Sequence, residues 1–214
     1  MLIAFFVASS ALSRFRVAQK AARTAGVVAK GGERDAVQVL ANGGLFALAA
    51  LGSLAWPSPL WWGAGAGALA AATADTWGTE IGTLAGHPPR SILDGRIVPP
   101  GTSGGVTLVG TLASAAGALF LALFVAAAGW GRETALAVLA GGFGGAIADS
   151  LLGATLQARR WCDRCERGTE RDVHDCGTPT RAAGGVRWLG NDAVNALSGL
   201  TGALLAVALQ TALT

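Results

Sequence analysis

Apolar runs separated by short polar stretches dominate the chain, and a bilayer is crossed by about 20 apolar residues in helical form. Six such runs stand out, at residues 1–12, Ala36–Trp56, Leu60–Ala85, Gly101–Ala128, Thr134–Gln157 and Trp188–Thr211. The pattern predicts an all-α, polytopic bundle of about six transmembrane helices, a single integral-membrane domain over 1–214 with one large polar loop at 159–187. The first run, MLIAFFVASSAL, comes before Arg14, Arg16, Lys20 and Arg23. A signal peptide has the reverse order of charge and apolar core, so this run is read as a retained span. It is short for one, so either the span starts upstream or the helix begins inside the membrane. The second run opens with Asp35, Gln38 and Asn42 at i, i+3 and i+7, a polar stripe on an apolar helix. Asp35 suits the positive end of the helix dipole. Asn42, the deepest of the three, is a candidate site residue.

Composition and charge sharpen this picture. With 52% hydrophobic residues, 14% charged residues and 32 glycines, the chain cannot be a soluble domain of ordinary make-up. Small residues let helices approach closely in lipid, and Gly141 and Gly145 of GGFGG form such a packing pair. The formal charge of +3 does not indicate a nucleic-acid partner, because the basic residues sit between apolar runs. If spans alternate, 15 of the 16 Lys and Arg fall in the loops after the first, third and fifth spans, with Arg132 the exception. Those loops are therefore expected on the cytoplasmic side of a bacterial-type inner or plasma membrane, with the N-terminus outside.

Polar residues inside the spans carry the candidate chemistry. The third span holds Asp75, Thr76, Thr79 and Glu80, the fifth Asp149 and Ser150, and the last opens with Asn191, Asp192 and Asn195. A carboxylate at membrane depth costs roughly 2.5–3.5 kcal/mol on insertion scales, so such residues face a site or a water-filled space. The expected orientation brings them all to the cytoplasmic end. Mg2+ takes oxygen ligands and is held by one or two carboxylates together with substrate phosphates, which suits Asp75 and Asp149 as catalytic ligands and Asp192 as a further one. Glu80 lies about 140° around an ideal helix from Asp75, so it joins that face only if Gly78 distorts the helix or the site is broad. The plain structural alternative is a set of protonated acids bonded between helices.

Between these motifs lies a candidate phosphate cradle, Gly101, Thr102, Ser103, Gly104 and Gly105, read as opening the fourth helix. No Lys completes a Walker A loop, and the alternative is a simple capped start with Thr102 or Ser103 as N-cap. Arg90 and Arg96 are candidates to grip phosphate, or else mark topology; Arg90 is the better placed. His87 is read as a loop residue. In the large loop, Cys162, Cys165, His174 and Cys176 make up a tetrahedral zinc set with no open position, hence a structural Zn2+ clamping a loop too short for its own core. A disulfide would leave one of the three cysteines unpaired.

The stretches ERDAVQVLANGG, ATADTWGTEIG, PPRSI, PGTSGGVTLVG, ADSLLGATLQ, CDRC with HDCGTPT, and WLGNDAVNALS resemble the membrane family of transmembrane protein 19 and the plant phytyl-phosphate kinases, also called domain of unknown function family 92. The resemblance covers nearly the whole chain; relatives often carry further apolar sequence at the N-terminus. It implies phosphoryl transfer from a nucleoside triphosphate, CTP above all, to an isoprenoid monophosphate such as phytyl phosphate within the membrane. More loosely, the helix acids and Gly-Ser turn look like those of CTP-using lipid kinases and cytidylyltransferases. The rival readings are a lipid-phosphate cytidylyltransferase, an ion-coupled transporter, and a zinc-clamped scaffold without catalysis.

Overall fold

The structure is a computed structural model that describes residues 1–28 and 35–214. Lys30 and Arg34 of the first basic loop lie outside the described residues. Seven helices make up most of the described chain: α1 (Leu2–Arg14), α2 (Val17–Arg23), α3 (Ala36–Ala55), α4 (Pro59–Gly82), α5 (Leu108–Ala127), α6 (Arg132–Thr155) and α7 (Asn191–Leu213). Local chemistry fixes several starts. The Asp35 side chain accepts from the Gln38 amide at 2.9 Å, Ser58 accepts from Leu60 ahead of Pro59 at the first turn, and Thr107 accepts from Gly110 at 3.0 Å.

α3, α5, α6 and α7 are long and apolar enough to cross a membrane. The other two expected spans differ in kind. α1 has 13 residues, about 20 Å of helix against a hydrocarbon core of about 30 Å. α4 has 24 residues, ample length, but its Gly, Ala and Thr content leaves it outside the apolar set. Its position explains this: α4 packs against α1, α3, α5, α6 and α7, and Gly63 and the unbroken stretch 65–74 are buried. A helix sheathed by other helices needs small side chains more than lipid-soluble ones. A methyl group added at Gly142 or Gly145 of α6 would come within 2.6 Å of Ala70 Cβ or 2.4 Å of Ala71 Cβ, so GGFGG is a packing surface, as its spacing predicts. Gly202 of α7 and Gly117 of α5 approach α4 backbone just as closely.

The all-α expectation needs correcting at one end of the bundle, where two small antiparallel sheets form. β1 (Arg90–Ser91) pairs with β2 (Gly105–Val106). β3 (Arg159–Cys162), β4 (Arg167–Thr169) and β5 (Arg181–Gly184) form a sheet in the order β4-β3-β5, within the large loop. Helix bounds shift accordingly. α4 stops at Gly82, short of Ala85, and α5 starts at Leu108 instead of Gly101. Gly101 and Gly104 have φ of +86° and +77°, and Gly105–Val106 is committed to strand pairing, so this backbone cannot be helical. Thr107, not Thr102 or Ser103, is the N-cap.

The chain alternates direction, so the N-terminal ends of α3, α5 and α7 meet the C-terminal ends of α4 and α6. Both sheets lie at that end. The described Lys and Arg residues all belong to its segments, except Arg132 at the start of α6.

Candidate functional site

A cavity of about 730 Å3 opens at this polar end. Asp75, on the last turns of α4, and Asp149, on the last turns of α6, face each other across it, and their carboxyl groups hydrogen-bond to one another. Asp149 Oδ2 is buried without a hydrogen-bond partner among the described residues. Two carboxyl groups in contact repel when both are ionised, so the pair must share a proton or take up a cation. The orphaned oxygen is an acceptor atom held out of water. Asn42 of α3, Thr76 and Thr79 of α4, Ser150 of α6, and Asn191, Asp192 and Asn195 of α7 line the same cavity. The turn Gly101 to Gly105 closes one side of it.

That turn is shaped by packing as well as by the cavity. A Cβ at Gly104 would sit 2.4 Å from Ala154 Cβ and 2.8 Å from the Ser150 carbonyl oxygen, so the turn lies directly on α6, one turn beyond Asp149. The Ser103 hydroxyl donates to Glu170 at 2.5 Å.

Three expected site residues are occupied elsewhere. Glu80 borders the cavity, but its two oxygens accept from Ser13 Oγ at 2.6 Å and from the Lys20 ammonium. Lys20 also donates to the Leu12 and Ser13 carbonyls at 2.7 and 2.9 Å. Its three donors are then used, and they finish the end of α1 while tying it to α4. Glu80 is thus a structural partner, and the angle that separates it from Asp75 is not relieved: α4 continues through Gly78 to Gly82. Gly78 is there because a Cβ would lie 2.1 Å from Ser114 Oγ of α5, not because the helix bends. Arg90 donates to the Gly95 carbonyl at 2.8 Å, Arg96 pairs with Asp94, and both are exposed and outside the cavity lining. They belong to a hairpin whose Leu93 and Ile97 are also exposed.

The cysteine loop forms a compact ligand set. One ligand atom from each of Cys162, Cys165, His174 and Cys176 lies within 4.8 Å of the others. Cys162 Sγ and Cys176 Sγ are 3.7 Å apart, and His174 Nδ1 is 3.4 Å from Cys176 Sγ. Metal–sulfur bonds of about 2.3 Å at tetrahedral angles place sulfurs about 3.8 Å apart, so this set fits a metal ion such as zinc. Hydrogen bonds from Thr178 and His174 hold the Cys176 thiol down to about 5, whereas Cys176 together with burial pushes Cys165 up to about 11.

The sequence is matched by a known family: residues 1–203 fit the Integral membrane protein DUF92 description. The chain belongs to the DUF92 family. It is 33% identical over 162 residues to an uncharacterized membrane protein of Methanocaldococcus jannaschii, covering 74% of this chain and 65% of that protein's length. It is 31% identical over 227 residues to Protein PGR of Arabidopsis thaliana, covering 92% and 76%. A membrane protein of Synechocystis is 29% identical over 217 residues, covering 98% and 72%. No solved structure matches this DUF92 chain.

Several cavity residues of this DUF92 protein are absent from the sequence-derived set. Arg23, Arg160 and Arg187 supply the positive charge expected of Arg90 and Arg96. Arg23 also donates to the Thr83 and Ala85 carbonyls, finishing the end of α4. Arg160, on β3, bonds Thr180 at 2.7 Å and pairs with Asp172 at 3.1 Å. Glu170, Asp172 and Gln157 line the cavity from the large loop and the end of α6. Their signal in sequence is faint: a charged residue in a polar loop looks ordinary until the loop is known to fold back over the bundle. His87, a loop residue as expected, stands at the cavity edge.

Proposed function

We propose that this protein is a membrane phosphotransferase that moves the γ-phosphoryl group of a nucleoside triphosphate, CTP by family resemblance, onto an isoprenoid monophosphate at the cytoplasmic face. The observation that carries this reading is the Asp75–Asp149 pair, with its orphaned buried oxygen, inside a cavity that also presents three arginines. Asp75 and Asp149 would hold Mg2+, with Asp192 nearby; the ion supplies charge neutralisation to the phosphates when bound. Arg23, Arg160, Arg187 and the 101–105 turn would position phosphate oxygens.

A lipid phosphate has a second pKa of about 6, so it is already a competent anionic nucleophile and needs no strong base. One of its oxygens forms a bond to the γ-phosphorus, the bond from that phosphorus to the β–γ bridging oxygen breaks, and the nucleoside diphosphate leaves. Catalysis of such a transfer is mainly alignment and electrostatics. The orientation is supported by the concentration of Lys and Arg at the polar end. A zinc ion in the Cys162, Cys165, His174, Cys176 set is proposed as structural, because four protein ligands leave no position open.

The test is purified protein with Mg2+, CTP and phytyl or geranylgeranyl monophosphate. The expected products are the lipid diphosphate and CDP, and Asp75→Asn and Asp149→Asn should each lower turnover at least about a hundredfold. Release of pyrophosphate instead of CDP would make the enzyme a cytidylyltransferase. Wild-type turnover in both variants would end the metal assignment.

A further inference from the structure

Neutral amides gather where α3 and α7 open into the cavity. Gln38 and Asn42 stand at i and i+4 of α3, with Leu45 next on the same face, and Asn191 and Asn195 stand at i and i+4 of α7, with Gly199 next. The two helices start at the polar end, run in the same direction and pack against each other. They touch at Leu45, whose Cδ1 would lie 3.3 Å from a Cβ at Gly199. With a rise of about 1.5 Å per residue, Asn42 stands about 4.5 Å and Asn195 about 6 Å outward of that contact, so the two reach the cavity at one level. Gln38 and Asn191 follow one turn farther out, and all four line the cavity.

Among the described residues, none of the four side chains makes a hydrogen bond. Their neighbour Ser198, buried three residues beyond Asn195, shows the ordinary outcome by donating to the Gly145 carbonyl at 2.9 Å. Asn195 is only 8% exposed, yet its amide stays open to the cavity. Polar groups this deep normally have partners, and leaving them without one costs free energy. Helix ends do not supply the explanation. The Val39 and Val194 amides already donate back to the Asp35 and Gly190 carbonyls, so at the level of Asn42 and Asn195 the backbone donors are spent within the helices and only side-chain amides meet the cavity.

A side-chain amide is planar and uncharged, with donors beside an acceptor. Its complement is an uncharged edge that also sets donors beside acceptors. A phosphate offers acceptors and charge, which suit the arginines, and a hydrocarbon tail offers neither. A nucleobase has such an edge, together with flat apolar faces that suit the ledge made by Leu45 against Gly199. We infer that the α3–α7 seam seats the base of the nucleotide, with Asn42 and Asn195 bonding its edge and Gln38 and Asn191 flanking them. The inference rests on the nucleoside triphosphate reading given above, and adds to it the residues that select the base.

The experiment is calorimetric titration of the purified full chain with Mg2+ and, in turn, ATP, CTP, GTP, UTP and inorganic tripolyphosphate. Wild type should prefer one nucleotide and bind it at least about tenfold more tightly than tripolyphosphate. Asn42→Ala and Asn195→Ala should each weaken that nucleotide about tenfold or more while tripolyphosphate affinity and the unfolding temperature hold. Asn195→Asp, nearly identical in shape, removes the donor and should change the order of preference among the four bases, which a purely structural residue would not do; it also decides the matter if Asn195→Ala fails to fold. The 2′,3′-dideoxy form of the preferred nucleotide should suffer the same losses. Unchanged nucleotide affinity in the variants overturns the seat. Losses that vanish with the dideoxy form assign the amides to the ribose, and losses shared by tripolyphosphate assign them to the phosphates; either overturns it. A wild type that binds tripolyphosphate as tightly as any nucleotide overturns the base seat alone, whereas one that binds none of the five overturns the nucleotide reading of the cavity itself.

Discussion

Asp75 and Asp149 were legible because their surroundings are apolar: an acid among alanines and glycines at membrane depth is conspicuous. Glu170 was not, because the cysteine loop is full of charges and only the fold singles one out. The cysteines themselves give a residue-scale prediction. Neighbours hold Cys176 down to about 5 and push Cys165 up to about 11, so in chelator-treated protein at pH 6.5 Cys176 is a thiolate and Cys165 a thiol. Lowering the pH through about 5 protonates Cys176 and removes the difference. Iodoacetamide should therefore modify Cys176 well before Cys165 at pH 6.5, with the preference fading at pH 4.5, as read by peptide mass spectrometry. Equal labelling at both pH values would show that these hydrogen bonds do not set the thiol chemistry. Glu80 teaches the converse lesson. Its helical angle already separated it from Asp75, and the structure finds its partners in Lys20 and Ser13, residues about 60 positions away that no local pattern connects to it.

The helices emerge from the apolar runs nearly where periodicity places them, and the departures share a cause. The run from Gly101 looks continuous with α5, yet its first residues pair with Arg90 and Ser91 as strand, a contact invisible to any local window. The β4-β3-β5 sheet escaped for the same reason, its strands being too short to show alternation. Glycines are equally ambiguous in sequence, since a conformational requirement and a packing requirement look alike. Gly104 has both, with φ +77° and Ala154 in the path of a side chain, whereas Gly86 has open space around its Cβ position. Gly104→Ala is expected to destabilise the protein by about 1–3 kcal/mol, from overpacking and left-handed strain together, and Gly86→Ala to change it by less than about 0.5 kcal/mol. Thermal unfolding in detergent compares the two. Similar losses would mean the turn is not seated on α6 in solution.

The antiparallel run of the helices brings polar motifs from α3, α4, α6 and α7, together with the 101–105 turn, to one end, and the basic residues gather there too. That convergence was readable from charge alone, although which arginines face the cavity was not. The proposed orientation is checked by labelling: Pro57→Cys, at the opposite end, should react with a membrane-impermeant maleimide in intact cells, and the native cysteines only after permeabilisation. The reverse pattern would turn the molecule over. α4 adds a consequence for biogenesis. It is the most enclosed helix of the bundle, yet its composition is the one least suited to dissolving in lipid by itself. A segment like this partitions poorly while it waits for companions, so its entry into the bilayer should depend on α3 and α5 being made alongside it. Replacing its alanines with leucines would ease that entry and spoil the close packing, which leaves the helix bearing Asp75 dependent on its neighbours from synthesis onward.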